Sequence, residues 1–259
     1  MAETLNITSQ GQGQTLVFIH GWGLNSAIWQ PTVAQLKTQY EVITVDLPGF
    51  GLNVDQPISP YTLPTVAKKI QQAINKPAIY IGWSLGGLIA TEISLSYPTQ
   101  VLGLVTIASS PCFAQQSTWP GIAPEVLTLF HRQLAEDTKK TIDGFLKIQA
   151  MGSPHIRQDI KVIRNLVMAY PMASRQTLDD SLALLEDVDK REQLALITQP
   201  FLRMYGKLDG LVPKKVIPMI NDLSIESEHH VFEKSSHAPF ISHLDEFVNA
   251  LVSWLSAKF

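Results

Sequence analysis

The chain has 259 residues, 45% hydrophobic and 17% charged, which suits one large core or a core carrying an inserted subdomain. A net charge of −3 supplies no global basic field, so neither nucleic acid nor an anionic membrane is an expected partner. The single cysteine, Cys112, excludes an internal disulfide framework, no run approaches 18 apolar residues, and residues 1–6 lack the basic and apolar regions of a signal peptide, so a cytoplasmic protein, monomeric by default, is expected.

Residues 5–9 read as an edge strand entering a turn at Gly11-Gln12-Gly13. Short β-rich apolar runs follow at 16–19, 42–45, 78–81, 102–107, 201–205 and 230–232, several of them apolar on both faces as in a covered parallel sheet. Helical patterns lie between or after them at 63–73, 85–96, 214–220 and 246–255. This alternation predicts an α/β fold with a mostly parallel, doubly wound sheet. It fails from Cys112 to Asp189, where several helices are punctuated by Pro120-Gly121, Gly152-Ser153-Pro154 and Pro171. The expected organisation is a core of residues 1–111 and 190–259 with a helical cap, 112–189, inserted over the strand ends.

Gly82-Trp83-Ser84-Leu85-Gly86 matches G-x-S-x-G with a strand before it and a helix after it. Small residues at 82 and 86 permit the sharp turn that lifts a serine hydroxyl above a sheet, beside the amides of a helix N-terminus. A glycine-rich turn whose serine merely caps the helix would need neither flank, so Ser84 is the candidate nucleophile. The run 16–19 enters His20-Gly21-Trp22-Gly23, and the fold commonly takes one oxyanion amide from such a loop and one from the residue after the nucleophile. These map to Trp22 and Leu85, with His20 as part of the loop's scaffold.

Seven histidines compete for the role of base. His131 and His155 fall in the cap, His229 and His230 adjoin or enter a strand, and His243 reads as the opening residue of the last helix. His237 follows the last strand in a loop that can return imidazole to the top of the sheet. For the acid, the strand 201–205 leads to Asp209 between Leu208 and Gly210, while Asp187 and Asp189 have no strand to present them. The order Ser84, Asp209, His237 suits hydrolases of this type. No H-E-x-x-H, paired-cysteine or nucleotide fingerprint appears, so no metal or organic cofactor is expected. A serine nucleophile disfavours the carboxylate-based chemistry of dehalogenases and epoxide hydrolases. Generic short-chain ester hydrolysis, carbon–carbon bond hydrolysis and a non-catalytic ligand receptor stay open.

The segments His20-Gly21-Trp22-Gly23, Asp46-Leu47-Pro48-Gly49-Phe50-Gly51, Ser109-Ser110-Pro111-Cys112-Phe113 and Trp119-Pro120-Gly121-Ile122, with the elbow and the loops at Asp209 and His237, complete the pattern. Together they resemble the pimeloyl-acyl carrier protein methyl ester esterases of biotin synthesis, members of the α/β-hydrolase superfamily. The resemblance covers nearly the whole chain. It implies a serine carboxylesterase that cleaves the methyl ester on a pimeloyl chain borne by acyl carrier protein, with Ser84, Asp209 and His237 as the triad and Trp22 and Leu85 bounding the oxyanion site. It also places Phe145, Leu146 and Gln149 against the acyl chain, alongside Trp22, Ser84, Leu85 and His237. Phe145 and Gln149, at i and i+4, share one face of a predicted helix. Residues 131–164 carry a local charge of +3 against −6 for the remainder, and Arg157, Lys161 and Arg164 share one side of a helix. With Lys140 they are the expected dock for an acidic carrier protein, and Gly144 stands where the resembled family often adds a basic residue.

Overall fold

The computed structural model describes residues 4–150 and 155–259. Among these residues the strands are β1 (Ile7–Gln10), β2 (Thr15–Ile19), β3 (Glu41–Val45), β4 (Ala78–Trp83), β5 (Val101–Ile107), β6 (Phe201–Gly206) and β7 (Glu228–Phe232). The helices are α1 (Gln30–Leu36), α2 (Leu63–Ile74), α3 (Leu85–Ser96), α4 (Pro124–Glu136), α5 (Thr138–Ala150), α6 (Ile156–Val167), α7 (Arg175–Asp187), α8 (Val216–Leu223), α9 (Pro239–Ser242) and α10 (Leu244–Lys258).

The strands form one sheet in the order β1-β3-β2-β4-β5-β6-β7, with β1 antiparallel to β3 and every other pair parallel. Side chains alternate across it. Val17 and Ile19 of β2 pack in a cluster with Val66 and Ile70 of α2, Leu88 of α3 and Ile217 of α8. Leu16 and Phe18 pack in a second cluster with Val33 and Leu36 of α1 and Phe247 and Leu251 of α10. Helices therefore cover both faces, which is why the central strands read as continuous apolar runs rather than as an alternating pattern.

The chain leaves β2 for β3 on one side and then crosses to β4 on the other. The carboxyl ends of β2 and β4 thus form the switch point, the position at which α/β sheets place their ligands. Between β5 and β6 the described residues form α4 to α7, a 3₁₀ helix at Arg191–Leu196 and isolated bridges, among them Cys112 with Asp189. Phe130, Phe145 and Leu178 of these helices belong to the first apolar cluster, and Leu146, Ile163 and Val167 to the second. The helical segment thus packs as a continuation of the core. No helix among the described residues is long and apolar enough to cross a membrane.

Element ends differ from the expected ones for local reasons. The first strand begins at Ile7 because the Asn6 amide donates to Asn53 Oδ1 (2.7 Å) instead of joining the ladder. The helix expected from 214 begins at Val216, after 3₁₀-type bonds from Val216 N to Pro213 O and from Ile217 N to Lys214 O. The last strand extends back to Glu228, whose pairing with Leu202 at the sheet edge needs no apolar side chain.

Candidate active site

Ser84 sits between β4 and α3 with φ 54° and ψ −119°, a conformation costly for a residue with a Cβ. The turn is held by bonds from Ser84 N to Ile107 O (2.9 Å), from Gly87 N to Ser84 O (2.9 Å) and from Ser109 Oγ to Ser84 O (2.8 Å). A Cβ on Gly82 would lie 2.1 Å from Gly86 O, and one on Gly86 would lie 2.3 Å from Ile19 O. Close backbone approach therefore dictates both glycines of the pentapeptide. Leu85 opens α3, so its amide belongs to the unpaired first turn of a buried helix.

The loop after β2 lies against Ser84: a Cβ on Gly21 would be 3.2 Å from Ser84 Cβ. Trp22 is fully buried. Its indole donates to Leu178 O of α7 (2.9 Å) and meets Phe145 of α5 edge-on, with ring centroids 4.9 Å apart. His20 is also fully buried, with Nδ1 2.8 Å from Gly21 O and Nε2 accepting from Leu47 N at 3.0 Å. Burial holds its pKa below the usual histidine value, against the opposing pull of the Asp46 carboxylate and the Gly21 carbonyl.

His237 lies in the loop between β7 and α9, and Asp209 in the loop after β6. His237 Nδ1 and Asp209 Oδ2 are 2.8 Å apart, while Asp209 Oδ1 accepts from the amides of Leu211 (2.8 Å) and Val212 (3.0 Å). The carboxylate accepts from Nδ1, so the ring's lone pair falls on Nε2, which is buried and makes no hydrogen bond. Trp83 donates its indole N–H to the His237 carbonyl at 2.8 Å and packs 5.7 Å from the imidazole, tying the histidine loop to the residue before Ser84. Sequence spacing could not reveal that tie, because its partners are 154 positions apart.

The rival groups lie elsewhere, although the buried His230 Nε2, like that of His237, has no hydrogen-bond partner. His243 Nδ1 contacts Ser242 Oγ, and His131 lies between Asp179 and Glu186. His229 and His230 are within β7, and His155 precedes α6. Asp187 ends α7 at the surface, and Asp189 is gripped by Arg191, which holds its carboxyl below the usual range. No group of three or more His, Cys, Asp or Glu side chains among the described residues is placed to hold a metal ion.

Phe145, Leu146 and Gln149 are buried on α5 but face different neighbours. Phe145 touches Trp22, and Gln149 lines a small void with Ser236 and Ala238, the residues flanking His237. Leu146 packs in the second cluster, which also holds Trp83 and Phe240. The buried Gln149 Oε1 has no hydrogen-bond partner. Lys140, Arg157, Lys161 and Arg164 are exposed, with Arg164 paired to Asp143 at 2.5 Å across α5 and α6.

Residues 14–244 match the family model of the alpha/beta hydrolase fold. The chain is 48% identical to the pimeloyl-[acyl-carrier protein] methyl ester esterase of Shewanella woodyi, covering 99% of both chains. It is 47% identical to the protein of the same name from Shewanella sp. strain MR-7, over 97% of this chain and 94% of that one. Among solved structures it superposes on an esterase from Exiguobacterium antarcticum with a TM-score of 0.86 and 26% identity, covering 97% of this chain and 95% of the other. The chain belongs to the α/β-hydrolase family and, within it, to the pimeloyl-[acyl-carrier protein] methyl ester esterases.

Proposed function

We propose that this protein hydrolyses the methyl ester masking the distal carboxylate of a pimeloyl chain on acyl carrier protein, releasing methanol and the free pimeloyl thioester for biotin synthesis. The observation that carries the reading is the buried His237–Asp209 hydrogen bond beside the strained Ser84 turn, in a chain nearly half identical to esterases of that name.

His237 Nε2 takes the Ser84 proton as Oγ attacks the ester carbonyl, and Asp209 stabilises the imidazolium that forms. The tetrahedral oxyanion is met by the amides of Trp22 and Leu85. The imidazolium returns its proton to the departing methoxide, giving methanol and an acyl-Ser84 ester. Water, deprotonated by the same Nε2, then attacks that ester and regenerates Ser84 with the free acid.

Helices α4 to α7 act as the cap. Ser84 is only 3% exposed beneath them, so the acyl chain enters when the cap shifts, with Phe145 and Gln149 meeting it from α5. Lys140, Arg157, Lys161 and Arg164 dock the acidic carrier, Arg164 through an ion pair it must share with Asp143. A side chain at Gly144 would meet open space, so the gap in this basic surface is not imposed by packing.

The test measures hydrolysis of carrier-bound methyl pimeloyl ester and of p-nitrophenyl acetate by wild type, Ser84→Ala and the double variant Arg157→Glu/Lys161→Glu. Ser84→Ala loses both activities. The charge reversals raise KM for the carrier substrate alone. An unchanged KM for the carrier substrate in the double variant would overturn carrier recognition, and an active Ser84→Ala would overturn the nucleophile.

A further inference from the structure

The segment from Asp46 to Gly51 takes no part in the chemistry above, yet it is built around one imidazole. Asp46 is buried, its Oδ1 accepting from Ser26 N (2.5 Å) and its Oδ2 from Leu52 N (2.9 Å). The backbone closes so tightly on this carboxylate that a Cβ on Gly51 would lie 2.4 Å from Asp46 Cγ. The Phe50 ring packs edge-on against His20, centroids 5.5 Å apart. The turn thereby presents the Leu47 amide to His20 Nε2 at 3.0 Å.

That amide settles the tautomer. A backbone N–H only donates, so Nε2 offers its lone pair and the ring proton sits on Nδ1. Nδ1 in turn faces a group that only accepts, the Gly21 carbonyl at 2.8 Å. A single neutral tautomer satisfies both contacts.

The Gly21 carbonyl and the Trp22 amide are the two ends of one planar peptide unit, with C=O and N–H antiparallel. Fixing the oxygen fixes the direction of the N–H. A hydrogen bond accepted at the carbonyl also strengthens the amide as a donor. We propose that His20 is a positioning residue for ester hydrolysis, its Nδ1–H aiming and polarising the Trp22 amide toward the oxyanion formed at Ser84. The inference rests on the oxyanion role proposed above for Trp22.

Two substitutions separate the contacts. His20→Gln retains an acceptor for Leu47 N but loses the donor at the Nδ1 position, whereas His20→Asn retains a donor there. For His20→Gln, kcat for ester hydrolysis falls about 10- to 100-fold, less than the 10²–10³ for outright loss of an oxyanion donor, with KM held within about twofold. Affinity for an alkyl boronic acid, which forms a tetrahedral adduct on Ser84, falls by the same factor. His20→Asn recovers most of both. A folded His20→Gln with wild-type kcat, or a loss confined to KM, overturns the proposal.

Should neither variant fold, ¹⁵N spectra of the wild-type imidazole decide: a protonated Nδ1 and bare Nε2, with the Trp22 amide proton moving downfield in the boronate adduct, support it. Protonation at Nε2, or an unmoved Trp22 amide, overturns it. Failure of the boronate to inhibit wild type brings down the Ser84 reading as well. Inhibition of wild type and His20→Gln alike brings down the His20 proposal alone.

Discussion

His131 and His237 both meet carboxylates through Nδ1, and the tighter contact is the one outside the proposed triad. His131, joining α4 to α7, lies 2.6 Å from Asp179, and His237 lies 2.8 Å from Asp209. What separates them is the other nitrogen and the surroundings. His131 Nε2 is spent on Glu186 at 3.2 Å, and its side chain is 27% exposed. His237 Nε2 has no partner and its side chain is 1% exposed. A carboxylate next to an imidazole makes a clamp when both nitrogens are occupied and a base when one is left bare beside a nucleophile. Around the proposed base, Asp209 is fixed by two backbone amides, and His237 by the Trp83 indole on its carbonyl.

The sharpest way to break this contrast is Asp209→Asn. The asparagine Oδ1 still accepts from Leu211 and Val212, so the loop survives, but an amide N–H now faces Nδ1. The ring must then carry its proton on Nε2, where the proposed mechanism needs a lone pair. Ester hydrolysis should fall about 10⁴-fold with little change in thermal stability. A rate within about tenfold of wild type would show that Asp209 does not set the tautomer.

On the helical side the comparison predicts a loss of stability. Phe145 is 5% exposed and packs edge-on against both Trp22 and Phe130. Phe145→Ala should cost about 3–5 kcal/mol, read as a lower urea midpoint at unchanged slope. A much smaller cost would mean that the cap collapses into the space, and a pocket wall of that kind would not hold an acyl chain of fixed length.

How much of this was legible in the sequence follows the same division. The elbow at Ser84, the loops of Asp209 and His237 and most strands could be read because each depends on local spacing: glycines two positions away, an apolar run before, a helix after. The edge strand β7 begins two residues before its apolar run because Glu228 and His229 carry no apolar signal where only one side pairs. The segments around Cys112 and Trp119 could be recognised as motifs without revealing their job. In the fold the Trp119 indole donates to Cys112 O at 2.9 Å, Cys112 bridges to Asp189, and Arg191 stacks 5.0 Å over Trp119. They knit together the two chain segments that lead into and out of the helices, a pairing between residues some seventy positions apart that no local pattern encodes.

The pH dependence of stability separates the buried histidine scaffold from the surface pairs. Burial lowers the pKa of His20 in the folded state, while the unfolded chain titrates near the ordinary value of about 6.5. The unfolded state therefore binds more protons in that range, and stability declines as pH falls below about 6.5. His229, lowered chiefly by burial and also by Arg203, adds in the same direction but more weakly because it is largely solvated. The Glu41–Lys76 and Asp189–Arg191 pairs lower their carboxyl pKa values, so their small contributions persist until pH falls through the carboxylate range. Melting temperature against pH should show its first decline between about pH 6.5 and 5, before the carboxylates titrate. A flat curve there would mean that His20 keeps a proton on both nitrogens, which its contact with the Leu47 amide forbids.

The smallest effect is expected at the second histidine. His131, Asp179 and Glu186 are each partly solvated, with side-chain exposures of 27%, 41% and 38%. Solvent screening therefore limits each contact to about 1 kcal/mol or less, whatever its length. His131→Ala should lower the melting temperature slightly, and the difference from wild type should shrink as salt is raised toward 1 M, where the Debye length is about 3 Å. The rate on p-nitrophenyl acetate should not change, because the clamp joins α4 to α7 without touching the Ser84 turn. A loss of rate matching that of Asp209→Asn would mean that this contact shapes the catalytic end through the cap. The contrast between a clamping and a proton-accepting histidine would then have to be redrawn around the Leu178 carbonyl, the one atom of α7 that holds the Trp22 indole.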